Sequence, residues 1–233
     1  MPEALQEYFP QSVVEIDVPL RQDLPIYGVQ KLNYSSCHIY SALLVAHLLK
    51  RFDRENTDEQ PWNIGVISPY KAQACLTAKI VERLGLSERL VVHCGTVHGF
   101  QGDECDLIVF IANPNNWRFT GHENALLSKD YVYNVAISRA RDHLWIVAPY
   151  SGGYHNDRLH RLRSLRAGSG RATTTLPAAE LEGYLFGERD HLERYSHITE
   201  HDFINVFGQT DMHYFIKTAS NAIDVQLNLP AQP

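Results

Sequence analysis

The sequence predicts an α/β fold, a doubly wound and mostly parallel sheet followed by a small α+β appendage. Three observations carry this. Ile64-Gly-Val-Ile-Ser68, Leu107–Ala112 and Leu144–Ala148 are short, almost uniformly apolar runs, which suit strands covered on both faces. Between such runs the apolar residues change to helical spacing, at Ile39, Leu43, Ala46 and Leu49 and again at Ala74, Ala78 and Val81. The alternation of the two patterns along the chain is the signature of a doubly wound sheet.

Taken in order, Met1–Pro10 is expected to be a loose end. Ser12–Asp17 alternates and predicts a strand. Arg21–Gln30, with Pro25 and Gly28, predicts a loop. A helix follows over Ser36–Phe52, with Ser35 or Ser36 as N-cap, and Asp53–Gln60 predicts a charged surface loop. After the strand Ile64–Ser68, Pro69 and Tyr70 open a helix over Lys71–Leu84, which Gly85 ends. Leu90–Cys94 predicts a third strand. Pro114–Leu127 is a long polar connector, Lys129–Arg141 a helix and Leu144–Ala148 the last strand.

Beyond Tyr150 the composition shifts. Ser151-Gly-Gly is linker-like, and Arg158, Arg161, Arg163, Arg166 and Arg171 form a basic run that encloses Gly168-Ser-Gly. Residues 1–150 are therefore expected to be one domain and residues 151–233 a small α+β extension. The extension is expected to hold a helix over Leu176–Tyr195 and short strands at Phe203–Phe207, His213–Lys217 and Ile223–Leu227.

The 233 residues carry a net charge of −6, with 44% hydrophobic and 21% charged residues. That composition is ordinary for a globular protein. The negative balance argues against nonspecific coating of nucleic acid but leaves room for a local groove contact. No apolar run approaches the ~20 residues needed to span a bilayer, so no membrane association is expected. The acidic start lacks the apolar core of a signal peptide. Cys37, Cys75, Cys94 and Cys105 show no CxxC spacing and are expected to be free thiols in a reducing, cytoplasmic setting.

Two dense polar motifs adjoin the apolar runs: Gly95-Thr-Val-His-Gly-Phe-Gln-Gly-Asp-Glu-Cys-Asp106 and Tyr133-Asn-Val-Ala-Ile-Ser-Arg-Ala-Arg-Asp142. No Gly-x-x-x-x-Gly-Lys-Ser/Thr phosphate loop is present. Asp103-Glu-Cys-Asp106 precedes its apolar strand, whereas a magnesium-holding acidic box follows one. No metal site is expected, because strand geometry would scatter His93, Cys94, His98 and Cys105.

Together with Gly65-Val-Ile-Ser-Pro-Tyr-Lys-Ala-Gln73, these motifs resemble the fourth, fifth and sixth motifs of the second RecA-like domain of superfamily 1 helicases, in the Upf1-like branch. The resemblance covers about residues 12–150, and Asn33 fits a further family position. It implies a P-loop NTPase fold and the C-terminal half of an ATP-dependent helicase or translocase. ATP with Mg2+ would be held mainly by an N-terminal RecA-like domain carrying the phosphate loop and magnesium carboxylates, and the partner would be single-stranded DNA or RNA. The chain is accordingly expected to be a fragment of a larger helicase, inactive as an ATP hydrolase alone. Arg139 is the candidate catalytic arginine finger, since a planar guanidinium pairs with phosphate oxygens. Gln101, Gly102, Glu104 and Arg141 are implied nucleotide contacts, with a structural or nucleic-acid role as the competing reading for Arg141. Thr96, His98, Ser68 and Tyr70 are implied nucleic-acid contacts.

The sequence departs from the family in places. Tyr133 stands where an arginine is usual, Ser36 where a glutamate is expected, and a Gln-Tyr-Arg stretch that normally opens the domain is missing. Two alternatives stay open: a nonenzymatic helicase-like module that binds nucleic acid or protein, and a nuclease with its site in the tail. For the latter, His213, Lys217 and Asp224 distantly resemble a phospholipase-D-type signature but with the wrong spacing.

Overall fold

Leu107, Val109 and Ile111 point to one side of a sheet and Ile108, Phe110 and Ala112 to the other, and all six are buried. This alternation within one apolar run is what a strand between two helical layers requires. The structure, a computed structural model, describes residues 1–20, 27–32, 35–100, 104–113, 127, 129–149, 164 and 174–186.

The elements run as helix α1 (Glu3–Gln6), strand β1 (Val13–Asp17), a β2–β3 hairpin (Val29–Leu32 and Ser35–His38) and helix α2 (Ile39–Glu55). Then come β4 (Trp62–Ser68), α3 (Lys71–Arg83), β5 (Leu90–Thr96), a 3-10 turn (Val97–Phe100) and β6 (Cys105–Ile111). Helix α4 (Asp130–Arg139), β7 (Ala140–Ala148), β8 (Thr174–Pro177) and α5 (Ala178–Phe186) complete them. The main sheet has six strands in the order β5-β4-β6-β7-β1-β8, and every pair in it is parallel. The fold is the expected α/β sheet. Val14, Ile16, Ile64, Val66, Trp145 and Val147 pack under α2 and α3 in one apolar layer. Ile67, Ile146, Val97 and Phe100 meet Val132 and Ala136 of α4 in the other.

Four local expectations are corrected. The first ten residues are not loose: Leu5 and Phe9 are buried, and the Phe9 ring stacks on Trp145 at 4.1 Å between centroids. Ser35 and Ser36 lie on β3, and His38 precedes α2. Ser35 Oγ instead accepts the Ala72 N–H at 2.9 Å, so it caps the first turn of α3. Asp53 is a buried residue of α2, not part of a surface loop; it accepts from the Ser87 N–H at 3.0 Å. The helix α4 ends at Arg139, and β7 begins at the next residue, so Arg141 sits on a strand.

The sheet also continues past residue 150, where the composition suggested a boundary. β8 pairs with β1 from Val14↔Thr174 to Asp17↔Pro177. Helix α5 docks on α2, where the Tyr40 hydroxyl donates to the buried Glu182 carboxylate. The expected strands at 203–227, the arginines of the basic run at 158, 161, 163, 166 and 171, and the connector Pro114–Leu126 lie outside the described residues.

A candidate nucleotide edge and a candidate nucleic-acid edge

In a parallel sheet all strands point one way, so residues at strand starts and residues at strand ends occupy opposite edges. Ser68 ends β4 and Thr96 ends β5, and the two are register partners. Tyr70 and His98 follow them within two residues. Glu104 immediately precedes β6 and Arg141 is the second residue of β7, while Cys105 and Ala140 are partners across those strands. Of the two candidate sets, the described residues thus lie apart: Ser68, Tyr70, Thr96 and His98 at the carboxyl edge, Glu104 and Arg141 at the amino edge. Open α/β sheets usually bind ligands at the carboxyl edge, so that rule gives no expectation for the amino edge.

Two segments join the edges. The 3-10 turn Val97–Phe100 leaves the end of β5 and leads toward the start of β6. Its Phe100 ring lies across β4 and β5, where a Cβ on Gly65 would come within 2.8 Å of Phe100 Cε1 and one on Gly95 within 2.9 Å of Cε2. Both positions therefore have to be glycine for the ring to settle. Helix α4 runs back along the same face, from Tyr131 beside His98 (rings 5.8 Å apart, edge-on) to Arg139 at the amino edge. Ten helical residues span about 15 Å.

At the amino edge Arg141 is committed. Its Nε donates to Glu104 Oε2 at 3.4 Å and its Nη1 lies 3.5 Å from Asp106 Oδ1. Asp106 also accepts the Asn63 N–H at 2.8 Å, so this carboxylate bridges β6, β4 and β7. Sequence reasoning missed that role because it weighed Asp106 only as a metal ligand. Arg139 differs. Its Nη2 donates to the neighbouring Ser138 Oγ at 3.3 Å, and its Nε is buried with no hydrogen-bond partner among the described residues. Asn63, Cys94, Glu104 and Arg141 line an open cleft of about 710 Å³. Burial pushes the Cys94 thiol up to about 12, so it stays protonated and is a poor nucleophile. Among the described residues no group of three or more His, Cys, Asp or Glu side chains could hold a metal ion.

At the carboxyl edge Ser68 and Tyr70 are buried while His98 is exposed and Thr96 half-buried. Ser68 Oγ accepts the Tyr70 N–H at 3.2 Å, which shapes the turn into α3. Tyr133, in the place of the usual arginine, is a core residue with its ring edge-on to Phe110 at 5.5 Å. Ser36 is buried and accepts from Asn113 Nδ2 at 3.2 Å. Gln101, Gly102 and Asn33 lie outside the described residues. The four cysteines are free, and no helix among the described residues is long and apolar enough to cross a membrane.

Residues 27–151, just over half of the chain, match a protein-family model described as an AAA domain. Over 86 residues, 36% of this chain, the sequence is 37% identical to the DNA polymerase alpha-associated DNA helicase A of Saccharomyces cerevisiae. That stretch is 12% of the yeast protein's length. The chain belongs to this AAA-domain family, and its sheet is the second RecA-like domain of an Upf1-like superfamily 1 helicase.

Proposed function

We propose that the chain is the half of an ATP-dependent helicase or translocase that supplies the arginine finger and part of the nucleic-acid track. The observation that supports this is that Thr96 and His98 follow the carboxyl end of β5 while Glu104 and Arg141 lie at the amino ends of β6 and β7, with α4 running between the two edges. Bound ATP supplies the γ-phosphoryl group, and the phosphate loop and magnesium carboxylates belong to an N-terminal RecA-like domain. Arg139 enters the closed cleft with its guanidinium and stabilises charge on that phosphoryl group as it is transferred to water. Arg141 keeps Glu104 and Asp106 in place beside it, with Glu104 left to meet the nucleotide. Gln101 and Gly102 stand between Phe100 and Glu104 in the sequence and are the further nucleotide contacts of this reading. At the other edge Thr96 and His98 contact the backbone of a single strand, which holds register without reading sequence. Ser68 and Tyr70 support that edge from beneath. The free thiols fit a reducing, cytoplasmic setting.

The test is a separation of effects in the motor containing both RecA-like domains. Arg139→Ala is expected to abolish strand-stimulated ATP turnover with strand affinity retained. Thr96→Ala is expected to weaken strand binding at least severalfold while the finger's contribution to turnover persists at saturating strand. Loss of both properties in both variants would contradict the two-edge reading and favour a binding module without enzymatic coupling.

A further inference from the structure

Tyr131 is the second residue of α4, and with 40% of its surface accessible it is the most exposed aromatic side chain among the described residues. Single exposed aromatics are common and mean little alone. Two features set this one apart. The His98 ring meets it edge-on, with planes at 65° and centroids 5.8 Å apart. The Lys129 ammonium stands 5.8 Å from the ring centroid, at the outer limit of a useful cation–π contact. Lys129 and His98 are themselves exposed. An aromatic plane steadied by a second ring, with a cation beside it, therefore lies at the carboxyl edge, against the turn that follows Thr96.

We propose that Tyr131 is a base-stacking platform for single-stranded nucleic acid, with Lys129 pairing to the phosphate next to the stacked base. This rests on the nucleic-acid reading of the carboxyl edge and extends it from backbone contacts to a base. Every base has a π-face, so a stacking platform binds a strand with little sequence preference. The edge-on histidine limits rotation of the tyrosine ring, which reduces the entropy lost when a base settles on it. The three cationic or polar neighbours serve the strand's backbone: Lys129 supplies a full charge, and His98 and Thr96 supply hydrogen bonds.

The test is equilibrium binding of the 233-residue chain to a fluorescein-labelled oligodeoxythymidine and to an abasic strand of equal length. Tyr131→Ala is expected to weaken binding of the base-containing strand about tenfold, within the range for loss of one stacked base, and to leave abasic-strand affinity within twofold. Tyr131→Phe and Tyr131→Trp are expected to bind within threefold of wild type, which also separates lost stacking from lost folding. Lys129→Ala is expected to lower the salt slope of binding by about one, as for one phosphate contact, whereas Tyr131→Ala leaves that slope unchanged. If Tyr131→Ala binds the base-containing strand as wild type does while Thr96→Ala is weakened, the platform is refuted and the track stands. An equal loss on the abasic strand refutes stacking in favour of a backbone contact. If wild type binds neither strand, the nucleic-acid reading of this edge falls together with the platform.

Discussion

Arg141 Nε lies 3.4 Å from Glu104 Oε2, so a residue at the start of β7 restrains the loop residue that opens β6. Two positions earlier, Arg139 has a buried Nε with no hydrogen-bond partner among the described residues. The two guanidiniums of Ser-Arg-Ala-Arg are thereby distinguished: Arg141 pairs with two carboxylates of the fold, whereas Arg139 has only a neighbouring hydroxyl as hydrogen-bond partner among the described residues. The helix-to-strand junction between them accounts for the difference, because Arg139 ends α4 and Arg141 sits on β7.

The Arg141 pairs are more than half exposed on the arginine side, and exposed ion pairs contribute at most about 1 kcal/mol. Arg141→Ala is expected to lower the melting temperature by no more than a few degrees. If Arg141 acts only by restraining Glu104, Arg141→Lys should retain most ATP turnover in the two-domain motor. A fall matching that of Arg139→Ala would show that Arg141 itself reaches the nucleotide.

Phe100 fixes the turn that joins the two edges. Phe100→Ala is expected to destabilise the fold by about 3–5 kcal/mol, as for other buried aromatic truncations. Gly65→Ala would place a Cβ 2.6 Å from Ile108 Cδ1 and is expected to cost roughly 1–3 kcal/mol through overpacking. Chemical denaturation of the three proteins checks this. Wild-type stability in Gly65→Ala would mean that Phe100 does not pack where the structure has it.

His38 gives a pH signature. It is fully buried, with Nδ1 2.7 Å from Ser41 Oγ and Nε2 3.0 Å from the Tyr27 carbonyl. Burial outweighs the carbonyl contact and lowers its pKa from 6.5 to about 4. Folding thus favours the neutral ring, so this stability is complete above about pH 6.5 and is lost as pH falls toward 4. The amount is about 3 kcal/mol. His38→Leu is expected to flatten the pH dependence of unfolding over that window; an unchanged slope would assign it to other groups.

The 233-residue chain is expected to hydrolyse no ATP by itself, because it holds no phosphate-loop sequence. A steady-state phosphate-release assay with and without single-stranded nucleic acid checks this. Turnover that disappears on Arg139→Ala would overturn the two-domain reading.

The interior was legible because β4, β6 and β7 are apolar on both faces and their runs stand out from the sequence. The amphipathic α3 and its Gly85 stop, in a left-handed conformation at φ 57°, were equally plain. The β2–β3 hairpin was not, since its turn lacks the glycine that marks tight hairpins. Ser35 was expected to cap the helix that follows it in sequence, yet it caps α3, a tertiary contact with no local signal. The same holds for Phe9, whose stacking on Trp145 is a tertiary contact across 136 positions with no local signal. At the candidate site, motif order singled out Arg139, Glu104 and Thr96, but only the parallel register shows Glu104 and Thr96 at opposite edges of the sheet. Tyr131 went unnoticed because its partner, His98, is 33 positions away and the contact exists only when α4 folds back over the turn.

The most direct measurement is strand-stimulated ATP hydrolysis by the two-domain motor, in wild type, Arg139→Ala and Arg139→Lys, with nucleotide affinity and thermal melting measured alongside. Charge stabilisation in the transition state should appear in kcat more than in binding. Arg139→Ala is expected to lower kcat ~10³-fold, about 4 kcal/mol, with nucleotide affinity and melting temperature little changed. Arg139→Lys is expected to recover little, because an ammonium lacks the planar fork. Turnover by Arg139→Ala within about threefold of wild type, a difference of only ~0.7 kcal/mol, would contradict the assignment of Arg139 as the finger.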